Sequence, residues 1–149
     1  QFMNIISHRG NINGPITCRE NAPSYIDAAI QLGYDVEVDV RHLDGNMWLG
    51  HDEPQYRIEF SWMSARRHKL WFHCKDALSA MHLLELGHFV FFCHSQDPYV
   101  LTSHGHLWVH DKSIPLNGRC IVPLLDDTKV PSFVNTPYGI CTDFVVKYR

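Results

Sequence analysis

A chain of 149 residues with a formal charge of −3 and 19% charged residues carries no basic field. That argues against nucleic acid and anionic membrane surfaces as partners. The 45% hydrophobic content suits an ordinary globular chain, long enough for a single domain over 1–149 with one sizeable core.

The longest apolar run, Phe89 to Cys93, is far too short to span a bilayer. Asn4-Ile5-Ile6-Ser7 already reads as structural, so no signal peptide is expected ahead of it. The five cysteines, Cys18, Cys74, Cys93, Cys120 and Cys141, are odd in number and form no Cys-x-x-Cys pair. Four lie in apolar, strand-like runs, where Cys acts as a small hydrophobe. A reduced, cytoplasmic protein is expected rather than a disulfide scaffold. Among eleven histidines, His104, His106 and His110 lie close together, but no Cys or carboxylate completes a recognised zinc spacing there.

In chain order, Met3 to Ser7 predicts a strand running into the loop His8-Arg9-Gly10, and Asn11 to Cys18 is irregular. Ala22 to Leu32 predicts a helix with Pro23 in its first turn. Its apolar stripe is Tyr25, Ala28, Ala29 and Leu32, and Gly33 stops it.

Tyr34 to Arg41 predicts the central strand. Alternation puts Val36, Val38 and Val40 on one face, with Glu37, Asp39 and Arg41 on the other. Two neighbouring carboxylates repel unless a cation sits between them, and hard divalent ions prefer such ligands. An edge strand with a solvated charged face is the competing reading.

Asp44-Gly45-Asn46 is a turn, Met47 to Leu49 a short strand, and His51-Asp52 closes it. A helical segment is expected over Phe60 to Arg67, then a strand over Leu70 to Lys75. Asp76 caps a helix to Leu86 that Gly87 stops, and Phe89 to Cys93 reads as a buried strand. Beyond it, Leu107 to His110, Arg119 to Leu124 and Gly139 to Thr142 read as strands with little helix between them. Strand–helix alternation of this kind suggests a parallel barrel or an open sheet.

His8-Arg9-Gly10, Glu20-Asn21 before a helix, Glu37-x-Asp39, Asp44-Gly45 and His51-Asp52, in this order and spacing, resemble the glycerophosphodiester phosphodiesterase family. The likeness covers residues 5 to 52. The strand ending at Lys75 and the segment Tyr138 to Phe144 agree more weakly, and 77–136 show no correspondence.

The resemblance implies an α/β fold of barrel type with the site at the carboxyl ends of its strands. A full (βα)8 TIM barrel needs about 250 residues. The expectation is therefore a reduced TIM-type barrel with several outer helices shortened or missing.

The resemblance also implies metal-dependent cleavage of a small phosphodiester. Glu37 and Asp39 match metal ligands, His8 and His51 the acid and base, and Arg9 and Lys75 phosphate contacts. Where the family has a third carboxylate ligand, this chain has His73. The implied cofactor is a divalent ion, Mg²⁺, Mn²⁺ or Ca²⁺, with Zn²⁺ also compatible with an imidazole ligand.

Glu20 is expected behind the site rather than as a metal ligand, and Arg9 and Glu20 either form a structural ion pair or contact substrate directly. Two histidines suit proton transfer because imidazole titrates near neutrality. Three functions stay open: a hydrolase for glycerophosphodiesters or related diesters, a lyase that stops at a cyclic phosphate, and a silent module that holds a phosphorylated ligand.

Overall fold

The computed structural model describes residues 3–125 and 131–148. Its centre is strand β2, Asp35–Leu43, whose first six residues are all buried. Val36, Val38 and Val40 pack with Ile26, Ala29, Leu70, Phe72 and Leu83 in the main core. Each such side chain contributes about 1.5–3 kcal/mol of apolar burial. Glu37 and Asp39 lie on the opposite face at 3% and 0% exposure. This rules out the solvated edge strand: β2 pairs with β1 (Asn4–His8), β3 (Asn46–Leu49) and β5 (Leu70–Cys74).

The remaining strands are β4 (Tyr56–Ile58), β6 (Phe91–Phe92), β7 (Tyr99–Leu101), β8 (Leu107–Val109), β9 (Cys120–Pro123) and β10 (Gly139–Thr142). These ten strands of the described residues form one mixed sheet in the order β4-β3-β2-β1-β10-β9-β8-β7, with β5 and β6 branching from β2. The reduced TIM-type barrel is thereby corrected. A (βα)8 barrel needs a closed parallel ring, whereas here β3, β4 and β7 pair antiparallel, and among the described residues β6 pairs only β5.

Among the described residues there are three α-helices: α1 (Pro23–Gln31), α2 (Phe60–Ala65) and α3 (Ala77–Leu86). None is long and apolar enough to cross a membrane. The sheet curls, and Phe92 stacks on Trp108 with ring centroids 4.3 Å apart, carrying the concave face across from β6 to β8. Ile6, Trp71, Ile121 and Cys141 complete that inner cluster.

The caps of α3 lie where expected: Asp76 accepts from the Ser79 amide at 2.8 Å, and Gly87 is left-handed at φ 80°. The stripe of α1 differs. Tyr25, Ile26 and Ala29 are its buried residues, while Ala28 and Leu32 are exposed. The strand expected over Phe89 to Cys93 is reduced to Phe91–Phe92, and Cys93 is exposed rather than a core residue. The short strands β4 and β7 were not anticipated; three residues carry too little periodicity to declare a strand.

Candidate metal centre and active site

The site is assembled by strand register. In the parallel pair β1–β2, His8 lies opposite Glu37, and in β2–β5, Asp39 lies opposite His73. Residues on one face of a sheet alternate by two, so these four side chains share the concave face with Lys75. Glu37, Asp39 and His73 each offer a ligand atom, all within 4.8 Å of one another. They form a group that could hold a metal ion.

The donor set fits a divalent cation on two observations. First, Glu37 Oε1 and Asp39 Oδ1 are buried with no hydrogen-bond partner among the described residues. Leaving buried acceptors unpaired costs at least about 1–3 kcal/mol each, more when they are charged. His73 Nδ1 lies 3.4 Å from Glu37 Oε2 and 3.3 Å from Asp39 Oδ1, close ion contacts rather than well-aimed hydrogen bonds. Second, His73 Nε2 meets the carbonyl of His94 at 3.3 Å, and its ring stacks on Phe92 at 4.8 Å. Once His73 has lost its extra proton, a carbonyl that accepts from Nε2–H fixes the tautomer that turns a lone pair on Nδ1 towards the carboxylates.

The carboxylates are held from behind. Asn21 donates to Asp39 Oδ2 at 2.9 Å and accepts from the Asp39 amide at 3.0 Å. It does so from a left-handed backbone, φ 67°, and Arg9 beside it is also left-handed at φ 59°. Such non-glycine conformations concentrate at functional sites. Arg9 Nη1 donates to Glu20 Oε1 at 3.1 Å, and its Nε lies 3.1 Å from Asp39 Oδ2. Of the two roles open to them, Glu20 and Arg9 form the ion pair.

His8 Nδ1 contacts Asp143 Oδ1 at 2.8 Å, and its Nε2 lies 3.9 Å from Glu37. Asn11 donates to both Asp143 and Glu20, tying the two supports together. Asp143 and Asn11 were not anticipated as supports of the site. Their signal was faint, because a carboxylate closing a strand and an Asn in a loop are ordinary.

His51 sits in a loop fastened to β2. Arg41 donates from Nε to the Gly50 carbonyl at 3.0 Å and from Nη2 to the His51 carbonyl, while Gly50 N donates to the Asp39 carbonyl. Gly50 has φ 154°, and a Cβ there would lie 1.9 Å from the Glu53 carbonyl, so only glycine permits this loop. Asp52 meets His51 Nδ1 at 2.7 Å.

His8, Arg9, Glu37, His51, His73 and Lys75 line one cavity of about 310 Å³, with Asp39 buried beside them. Phe92, His94, Trp108 and His110 line it too, from the part of the chain that carries no resemblance.

Electrostatics bind the group together. Burial lowers the His73 pKa, but contacts with Asp39 and Glu37 outweigh it and push it up to about 9. Burial raises Asp39, yet His73, Arg9 and Asn21 hold it well below the usual carboxylate range. Burial also opposes charge on His8, and the bond to Asp143 with the charge of Glu37 raises it overall. His110 goes the other way: burial, then His94 and His73, lower it to about 4.

Comparison with protein-family models, curated proteins and solved structures finds no match. The resemblance to the phosphodiesterase family therefore rests on the residues described above.

Proposed function

We propose that this protein is a metal-dependent phosphodiesterase for glycerophosphodiesters or related small phosphodiesters. The observation that carries the reading is the Glu37–Asp39–His73 group, with two buried carboxylate oxygens that lack a hydrogen bond among the described residues, in a cavity shared with His8, His51, Arg9 and Lys75. Glu37, Asp39 and His73 would hold a divalent ion, which when bound would stabilise charge on the phosphoryl oxygens. One nitrogen among the ligands favours Mn²⁺, Co²⁺ or Zn²⁺ over Mg²⁺ and Ca²⁺.

The chain's own groups supply the rest. Asp143 fixes the His8 ring through Nδ1, which leaves Nε2 to take or give a proton. Asp52 does the same for His51. Lys75 presents a compact positive charge to the phosphoryl group, and Arg9 adds a second while holding Asp39.

One observation favours a second reading. Protonated His73 beside both carboxylates already supplies positive charge where a metal would sit, which suits a silent module that binds a phosphorylated ligand. Hydrolysis of a phosphodiester panel with and without chelator separates the two. Turnover lost with chelator and restored by Mn²⁺ is expected of the enzyme. Binding without turnover under every ion supports the module and contradicts the enzyme. Phosphorus NMR of the product distinguishes a hydrolase from a lyase that stops at the cyclic phosphate.

A further inference from the structure

We infer that Cys74 and Cys93 are a modification site, a thiol pair that closes to a reversible disulfide behind the cavity wall. In the parallel pair β5–β6, Phe72 lies opposite Phe91 and His73 opposite Phe92. Strand β6 ends at Phe92, and continuing its register by one residue would set Cys93 opposite Cys74. Neighbouring strands lie about 4.8 Å apart, inside the ~4.4–6.8 Å Cα separation that a disulfide bridges. His73 and Phe92 face the cavity, so the two cysteines both turn to the other side of the sheet. Each thiol is among the groups that perturb the other, as expected of near neighbours.

Access is divided between them. Cys93 is exposed and Cys74 is buried, so an oxidant meets one sulfur and the other resolves the adduct. No comparable pair exists among the other cysteines of the described residues. Cys141 lies opposite Pro123 in the β9–β10 register, Cys120 falls outside that pairing, and Cys18 is exposed in a separate short 3-10 turn.

With a small-molecule disulfide such as oxidised glutathione, the Cys93 thiolate attacks one sulfur and releases the first glutathione thiol. Burial holds the Cys74 thiol in its protonated form, so its attack as thiolate on the Cys93 sulfur of the mixed disulfide, which releases the second, is the slower step. Two protein thiols are oxidised, one glutathione disulfide is reduced to two thiols, and both protons end on glutathione. The staple would join the two-residue strand β6 covalently to β5, between the cavity-lining pairs His73–Lys75 and Phe92–His94.

The test is incubation of the full chain with oxidised glutathione, alkylation of remaining thiols, and peptide mapping by mass spectrometry. The expected result is a Cys74–Cys93 cross-linked peptide, loss of two free thiols, and full reversal by dithiothreitol. Cys93→Ser should abolish the link, whereas Cys18→Ser should leave it intact. A glutathione adduct on Cys93 that never resolves, a link from Cys93 to Cys18, or both thiols still free for alkylation would overturn the inference.

Discussion

His73 Nδ1 lies 3.3 Å from Asp39 Oδ1, and the two residues are direct register partners across the parallel strands β2 and β5. In the metal-free protein this contact, with that to Glu37, raises the His73 pKa to about 9, above its ordinary 6.5. A metal must therefore displace a proton from His73 at neutral pH.

Metal affinity should rise by about tenfold per pH unit between pH 7 and pH 9, with one proton released per ion. The stability of the metal-free protein should move in the opposite sense. A folded pKa above the unfolded one contributes stability in full below pH 6.5 and loses it as pH rises towards 9. Calorimetric titrations in buffers of different ionisation enthalpy, with denaturation of the metal-free form over the same range, measure both. An affinity flat from pH 7 to 9 would show that His73 is not a ligand.

The pairing of His8 with Asp143 makes the acid–base assignment testable at two levels. His8→Ala and His51→Ala should each lower turnover by roughly 10²–10⁴-fold without unfolding the protein. Asp143→Asn removes a carboxylate that raises the His8 pKa, so the limb of the pH–rate profile governed by His8 should move to lower pH. Full activity in either alanine variant would contradict the paired assignment.

Asn21 is buried and makes two hydrogen bonds to Asp39. Asn21→Gly keeps the left-handed backbone accessible and removes only the side chain, leaving the buried Asp39 amide and Oδ2 each short of a partner. A loss of at least about 1–3 kcal/mol is expected in urea denaturation. Asn21→Ala should lose more than Asn21→Gly, because alanine keeps the Cβ whose strain at φ 67° glycine relieves.

His73→Glu exchanges the nitrogen ligand for oxygen. The variant should shift its ion preference from Mn²⁺, Co²⁺ and Zn²⁺ towards Mg²⁺ and Ca²⁺. Activity profiles across those ions for both proteins measure the shift, and identical profiles would remove His73 from the ligand set.

Local patterns carried much of this architecture in legible form. The alternation Val36-Glu37-Val38-Asp39-Val40 assigned both faces of β2, and Asp76 with Gly87 marked both ends of α3. What the chain did not declare was how its strands pair. The β3–β4 hairpin takes up the carboxyl half of β2, through Val40 to Leu43. Parallel strands β8 and β9 are joined by residues 110–119 without a helix, so strand–helix counting cannot place them.

The same limit applies to the site. Glu37 with Asp39 was visible as an i, i+2 pair, whereas His8–Asp143, 135 residues apart, and the aromatic wall of Phe92 and Trp108 depend on long-range packing.

The central claim, that Glu37, Asp39 and His73 hold a divalent ion, is tested most directly by titrating Mn²⁺ into the protein and following the free ion by electron paramagnetic resonance. The wild type should bind one ion at pH 8, and Glu37→Gln and Asp39→Asn should each abolish that site while retaining the fold by circular dichroism. No stoichiometric binding in the wild type, or unchanged binding in both variants, would contradict the account.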